Sequence, residues 1–148
     1  MAFSAKSCVT VGLGTAGGGL ASFGETWNGK AWSYTKMTWP KGTKNPEVWD
    51  VACRAGSYCA AVGNTGQNLN VEGRTGRAAI TVWNGKTWTA QSVPSAGTGK
   101  HSLFDAVTCH PTFCAAAGQY GPNESTNGAG LTAFATGSQW RWRLVGAR

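Results

Sequence analysis

VWDVACRAGSYCAAVGNTG (residues 48–66) recurs as LFDAVTCHPTFCAAAGQYG (103–121). Between the copies lies AAITVWNGKTWTAQSVP (78–94). It has an earlier counterpart in FGETWNGKAWSYTKMTWP (23–40) and a later one in TAFATGSQWRWRLVG (132–146). Aligned on Trp32, Trp88 and Trp140, these segments also superpose Gly29, Gly85 and Gly137, at spacings of 56 and 52 residues. Cys8, Cys59 and Cys114 recur at spacings of 51 and 55. The chain therefore reads as three copies of one unit of a little over 50 residues, a period that marks repeat architectures.

Each unit reads as four short strands: VWDVAC, YCAAVG, AAITVW and TWTAQSV in the second copy. The first alternates with period 2, the second is a short apolar run ending in Gly, and the third is rich in β-branched residues. Asn28-Gly29 and Asn84-Gly85 separate the third and fourth strands. This dipeptide is a strong hairpin signal, and a two-residue turn there needs positive φ at both positions. Thr136-Gly137 replaces it in the last copy, and Pro40 and Pro94 end the fourth strands.

Four antiparallel strands at this period describe a β-propeller blade. The fold class expected is all-β, with one repeat domain over 1–148: an incomplete blade over 1–47, a second over 48–102 and a third over 103–148. A β-sandwich or barrel is the competing fold. Nothing before Cys8 matches VWDVAC, so the first blade is expected to begin at its second strand. That favours a fragment or truncated reading frame; three blades also leave two open faces, so the chain is expected to be a piece of a longer protein or to close a ring by homo-oligomerisation, a head-to-tail dimer of six blades being the simplest.

Composition narrows the class. The chain has 148 residues, 22 Gly, 8 Trp, 5 Cys and 13% charged residues. Glycine at roughly twice its usual share excludes a helical bundle. Trp, Val and Cys are too frequent for disorder, and no apolar run is long enough for a membrane-spanning helix. Thirteen Lys and Arg against six Asp and Glu give a net charge of +7. A basic surface attracts anionic polymers, but no run of four cations occurs, so specific nucleic-acid binding and membrane insertion are not expected.

Cys53 and Cys59, and Cys109 and Cys114, straddle the turn between the first and second strands. Opposed hairpin residues come within disulfide range, so each pair is expected to bond. Cys8 aligns with the second cysteine of each pair and is expected to be a free thiol. A zinc site using His101 or His110 fits the spacings poorly, so neither a metal nor any cofactor is expected. Disulfides place the protein in an oxidising, extracellular compartment. The segment MAFSAKSCVTVG is not a signal peptide, so an exported form would be mature, with its leader removed.

Val51-x-Cys53 with Cys59-Ala-Ala-Val-Gly63, then Trp83-Asn84-Gly85-Lys86-Thr87-Trp88, resembles the repeats of secreted actinobacterial β-propeller proteins. Those carry V-x-C…C-x-A-V-G followed by W-N-G-x-x-W or W-D-G-x-x-W. The third copy matches through Val107-x-Cys109 and Cys114-Ala-Ala-Ala-Gly118, and the first only from Cys8-Val-Thr-Val-Gly12 onward. The resemblance implies export and a propeller, and little about activity.

Motifs for catalysis mostly fail. Gly12-x-Gly14-x-x-Gly17 has the spacing of a dinucleotide fingerprint but leads into a strand, not a helix. No Gly-x-Ser-x-Gly elbow occurs. Asp50 and Asp105 occupy one repeat position and read as structural. Glu47, Glu72 and Glu124 read as loop residues that could supply a glycosidase pair. Trp32, Trp88 and Trp140 read as blade core.

The connections from second to third and from fourth to first strand, 13–22, 64–78, 119–131, 40–47 and 95–102, are long and polar. They emerge at one end of a meander, where function tends to sit. The candidate ligand-binding residues there are Trp39, Lys41, Lys44, Asn45, Arg74, Arg77, Lys100 and Asn123, with His101 and Asn64 at the same end. Lys and Arg donors, Asn amides and a stacking Trp suit hydroxyl-rich or anionic glycans. The expected function is a secreted, non-catalytic, lectin-like module that binds carbohydrate or cell-wall polymer. The alternatives are a scaffold for other secreted proteins and a glycosidase fragment.

Overall fold

The computed structural model describes residues 2–4, 7–54, 58–66, 76–93, 101–121 and 129–145, and among them there is no helix. The strands are β1 Ala2–Ser4, β2 Ser7–Ala16, β3 Gly19–Trp27, β4 Trp32–Lys36, β5 Glu47–Cys53, β6 Cys59–Thr65, β7 Arg77–Trp83, β8 Trp88–Gln91, β9 His101–His110, β10 Phe113–Gly121, β11 Ala129–Thr136 and β12 Gln139–Val145. They form three four-stranded antiparallel sheets, each with its strands in chain order: sheet I β1–β4, sheet II β5–β8 and sheet III β9–β12.

The register repeats with the sequence. Cys59 lies between Cys53 and Trp83, and Cys114 between Cys109 and Ala135. Cys8 lies between Phe3 and Trp27. The first unit therefore has a first strand, of only three residues, where the repeat alignment leaves none. Pairing needs only backbone groups, so Phe3 can stand opposite Cys8 without being a cysteine. Cys53–Cys59 and Cys109–Cys114 are disulfides, with Cα atoms 3.9 and 4.1 Å apart, and Cys8 is a buried free thiol.

Side chains alternate between the two faces of a strand, so each sheet has a cysteine face and an opposite face. The cysteine face of sheet II, with Val51, Cys59, Ala61, Trp83 and Trp88, packs on Val9, Val11 and Met37 of sheet I. The other face of sheet II, with Ala60, Val62, Ala78 and Ile80, packs on the cysteine face of sheet III, with Val107, Cys114, Ala116, Leu131 and Ala133. Sheet II is thus covered twice, which is why β6 is buried without interruption from Cys59 to Asn64 and does not alternate. Ile80 and Phe104 are fully buried, and each contributes roughly 2–3 kcal/mol by leaving water.

The two junctions share a polarity: a cysteine face sits on the opposite face of the preceding sheet. Trp88 Nε1 donates to Thr35 Oγ1 at 3.0 Å across the first junction. Across the second, Val107 N donates to Asp50 Oδ2 at 2.9 Å, while Asp50 Oδ1 accepts from Val51 N. Asp50 is therefore a clasp between sheets. Asp105 is not its counterpart, contrary to the repeat alignment. β5 and β9 each carry a register irregularity; Asp50 faces Val62, whereas Ala106 faces Ala117 and Asp105 falls in the irregularity. Counted back from the cysteines, Ala106 holds the place of Asp50.

Three further expectations change. Trp32 is 48% exposed, whereas Trp88 is buried and Trp140 half-buried, because among the described residues no other sheet covers the cysteine face of sheet I. The Asn-Gly turns are four-residue loops in which only the glycines, at φ 93° and 94°, are left-handed. Asn28 Oδ1 accepts from the Lys30 and Ala31 amides, and Asn84 Oδ1 from Lys86 and Thr87, all at 2.9 Å. The asparagine side chain thus replaces a second left-handed residue. Segment 13–22 is strand, not loop: β2 and β3 extend to a two-residue turn at Gly17-Gly18, both with positive φ.

Candidate functional site

At one end of the sheets, the described connector from Pro40 to Thr43 borders a depression of about 250 Å³, lined also by Thr65, Arg77, Ala78 and Val93 of sheet II and its flank. Pro40–Thr43 is a β-turn: Thr43 N donates to Pro40 O at 3.1 Å, and Gly42 takes φ 85° at the third position. A type II turn requires that sign of φ there, which explains the glycine. The turn presents Lys41 at its second position. Arg77 opens β7 and pairs with Thr65 at the end of β6, so the ladder fixes its distance from the turn.

The connector is pressed against the sheet end. A Cβ on Gly66 would meet Lys44 O at 1.6 Å, and Gly66 has φ 49°. Asn45 is the one non-glycine residue with positive φ among those described, at 47°. Its Oδ1 lies 2.9 Å from where a Cβ on Gly19 would stand, against the β2–β3 hairpin. Ser22 Oγ donates to Pro46 O at 2.7 Å and pins the connector to sheet I. Lys41, Lys44 and Arg77 are exposed. The described lining contains two cations, two hydroxyls and no carboxylate, a donor set for an anionic, hydroxyl-bearing ligand.

Of the sequence-derived candidates, Lys41 and Arg77 meet in this depression, and Lys44 and Asn45 follow on the same connector. Trp39 does not line it: its indole packs against the core between sheets I and II. Arg74, Lys100 and Asn123 lie outside the described residues, as do Glu72 and Glu124. His101 and Asn64 are interior rather than surface groups, at 2% and 0% exposure. Both flank Gly76, and their polar side-chain atoms have no hydrogen-bond partner among the described residues. Ser102 ties this segment down, donating its amide to Gly76 O and accepting from Ala78 N through Oγ, both at 2.9 Å. Glu47 is buried in β5, not in a loop. Thr43 and Thr65 were not among the candidates; Thr43 follows the Pro-Lys-Gly turn signal that placed Lys41.

Among the described residues no group of three His, Cys, Asp or Glu side chains could hold a metal ion. The paired cysteines are consumed in disulfides, which removes the zinc alternative built on them. No described helix is long and apolar enough to cross a membrane. Comparisons with protein families, with curated proteins and with solved structures found no match.

Proposed function

We propose that the chain is a secreted, non-catalytic binding module whose three sheets are β-propeller blades, and that it recognises an acidic carbohydrate or cell-wall polymer at the connector end. The supporting observation is the meeting of Lys41 and Arg77 with the Thr43 and Thr65 hydroxyls in one depression. A guanidinium binds a carboxylate or phosphate through two parallel hydrogen bonds, and the hydroxyls serve as donors or acceptors to ring hydroxyls. At about 250 Å³ the depression is slightly smaller than a drug-sized site, so it takes one charged unit of a polymer. Two hairpin disulfides support an oxidising compartment.

The test is a binding screen on uronic-acid glycans, polyol-phosphate polymers and neutral glycans. The Lys41→Ser/Arg77→Ser double variant, and a triple variant adding Arg74→Ser, are compared with wild type. The expected result is retention of an acidic polymer by wild type and at least a tenfold loss in the double variant. Unchanged retention in both variants refutes the site.

A further inference from the structure

Among the described residues, the two internal junctions leave one face of each kind uncovered. The cysteine face of sheet I is open and aromatic. Trp32 and Tyr34 are 48% and 67% exposed, Trp27 packs on Trp32 with centroids 5.6 Å apart, and Phe23 stacks on Tyr34. The opposite face of sheet III is also open. It carries a depression of about 550 Å³ walled by Ala106, Thr108, Ala117, Thr132, Phe134 and Arg143.

We propose that these two faces bind each other between two copies of this chain, head to tail, so that two junctions close a ring of six sheets. This rests on the blade reading of the sheets, not on the polymer site. The observed junctions dictate the fit. At the first, Trp88 lies over Gly24 and Thr35 of the preceding sheet. By register, Trp32 is the counterpart of Trp88, and Thr132 and Arg143 are the counterparts of Gly24 and Thr35. Trp32 of a second copy would therefore enter the depression on sheet III, where Thr132 supplies a hydroxyl for its indole N–H, as Thr35 does for Trp88.

By register, the one described acid on the two open faces is Glu25, on the cysteine face of sheet I with Lys36 on its outermost strand, and the cations of sheet III are Arg141 and Arg143, so the pairing is carried by the register and not by net charge. Propeller rings hold roughly four to eight blades, and six is the one multiple of three in that range. Two unlike faces joined in this way give a ring where the rotation from sheet to sheet closes, and the proposed closure is at six sheets. Ala106 stands where Asp50 makes its clasp, so the new junction lacks the bond that Asp50 makes between sheets II and III.

The experiment is mass in solution by light scattering on the full chain at high micromolar concentration, for wild type, Trp32→Glu, Phe134→Glu and an equimolar mixture of the two variants. Both positions are exposed, and an unchanged melting temperature at low concentration checks that each variant folds. The expected wild-type mass is twice the 15.4 kDa of one chain. Each variant alone should fall to a single chain. The mixture should recover the doubled mass, because one intact junction remains between unlike partners. A wild-type mass of one chain, or a ladder of higher masses, overturns the proposal. Loss of the dimer in Trp32→Glu but not in Phe134→Glu also overturns it, in favour of two sheet I faces pairing. A single-chain wild type that still retains acidic polymer leaves the proposed function standing.

Discussion

Replacing Gly63 with alanine tests a close approach that the repeat makes twice, at Gly63 and at Gly118. Gly63 faces Val48 in the β5–β6 ladder, beside the register irregularity. A Cβ there would lie 1.9 Å from Glu47 O, about 1.6 Å inside an ordinary van der Waals separation of roughly 3.5 Å. The obstacle is backbone in a buried strand, so it cannot rotate away. Either the irregularity opens or β6 shifts against sheets I and III. Overpacking of this kind costs about 3 kcal/mol. In a domain of this size that lowers the melting temperature by about 6–12 °C. Gly118→Ala should behave alike, since its Cβ would meet Leu103 O at 1.9 Å. Gly12→Ala is the internal control. It is the same repeat position in sheet I, where β1 is too short to oppose it, and the nearest atom is Phe23 Cζ at 2.8 Å. That ring is only half-buried and can swing, while alanine recovers roughly 0.5–1 kcal/mol over glycine in a strand. Thermal unfolding followed by circular dichroism should place Gly63→Ala and Gly118→Ala well below wild type and Gly12→Ala within about 3 °C of it. Equal, small effects at all three positions would refute the reasoning.

Asp50→Ala strands the Val107 amide and should cost about 2 kcal/mol in urea unfolding, whereas Asp105→Ala should cost little; equal losses would show that the two acids share a role after all. Removing one hairpin disulfide as Cys53→Ser/Cys59→Ser should cost about 2 kcal/mol, since the closed loop is short, and should leave the far-ultraviolet spectrum of a β-protein. Burial raises the Asp105 carboxyl above its ordinary 3.8, and His101 opposes this with a smaller lowering. At a pH well below 3.8 the group is protonated in folded and unfolded chains alike, and it contributes nothing. As pH rises through that value the unfolded chain ionises first, and stability falls until the folded carboxyl has also ionised. Asp105→Asn should therefore melt with wild type at about pH 3 and slightly above it near neutrality, the gain being small because the residue is exposed overall and its carboxyl only partly desolvated. A gain of equal size at both pH values would assign the effect to packing.

The strands and their order were legible because cysteine, tryptophan and glycine recur at fixed spacings, and each type has a separate task. The cysteines clip hairpins, the tryptophans fill one face of a sheet, and Gly63 and Gly118 make room for a carbonyl. Alignment by similarity failed where the structure inserts a residue: Trp49-Asp50 and Phe104-Asp105 look alike, but only counting back from the cysteine separates Asp50 from Asp105. Glycine-rich composition disguised 13–22 as a loop, although Gly17-Gly18 builds a tight turn between two long strands. At the candidate site, composition selected the connector end, and the Pro40–Thr43 turn was readable from its glycine. The burial of His101, Asn64 and Trp39 was not, since a polar or aromatic residue near a connector carries no sequence mark of which way it points.

The architecture depends on the sheets stacking cysteine face on opposite face. The most direct measurement is a nuclear Overhauser spectrum of the isotope-labelled chain, centred on the Trp88 indole N–H. Cross-peaks to Gly24 and Thr35 of sheet I are expected, because the indole nitrogen lies 3.0 Å from Thr35 Oγ1 and 2.9 Å from where a Cβ on Gly24 would stand. Cross-peaks from that proton to β10 or β11 instead would place the tryptophan on the wrong side of sheet II and contradict the stacking.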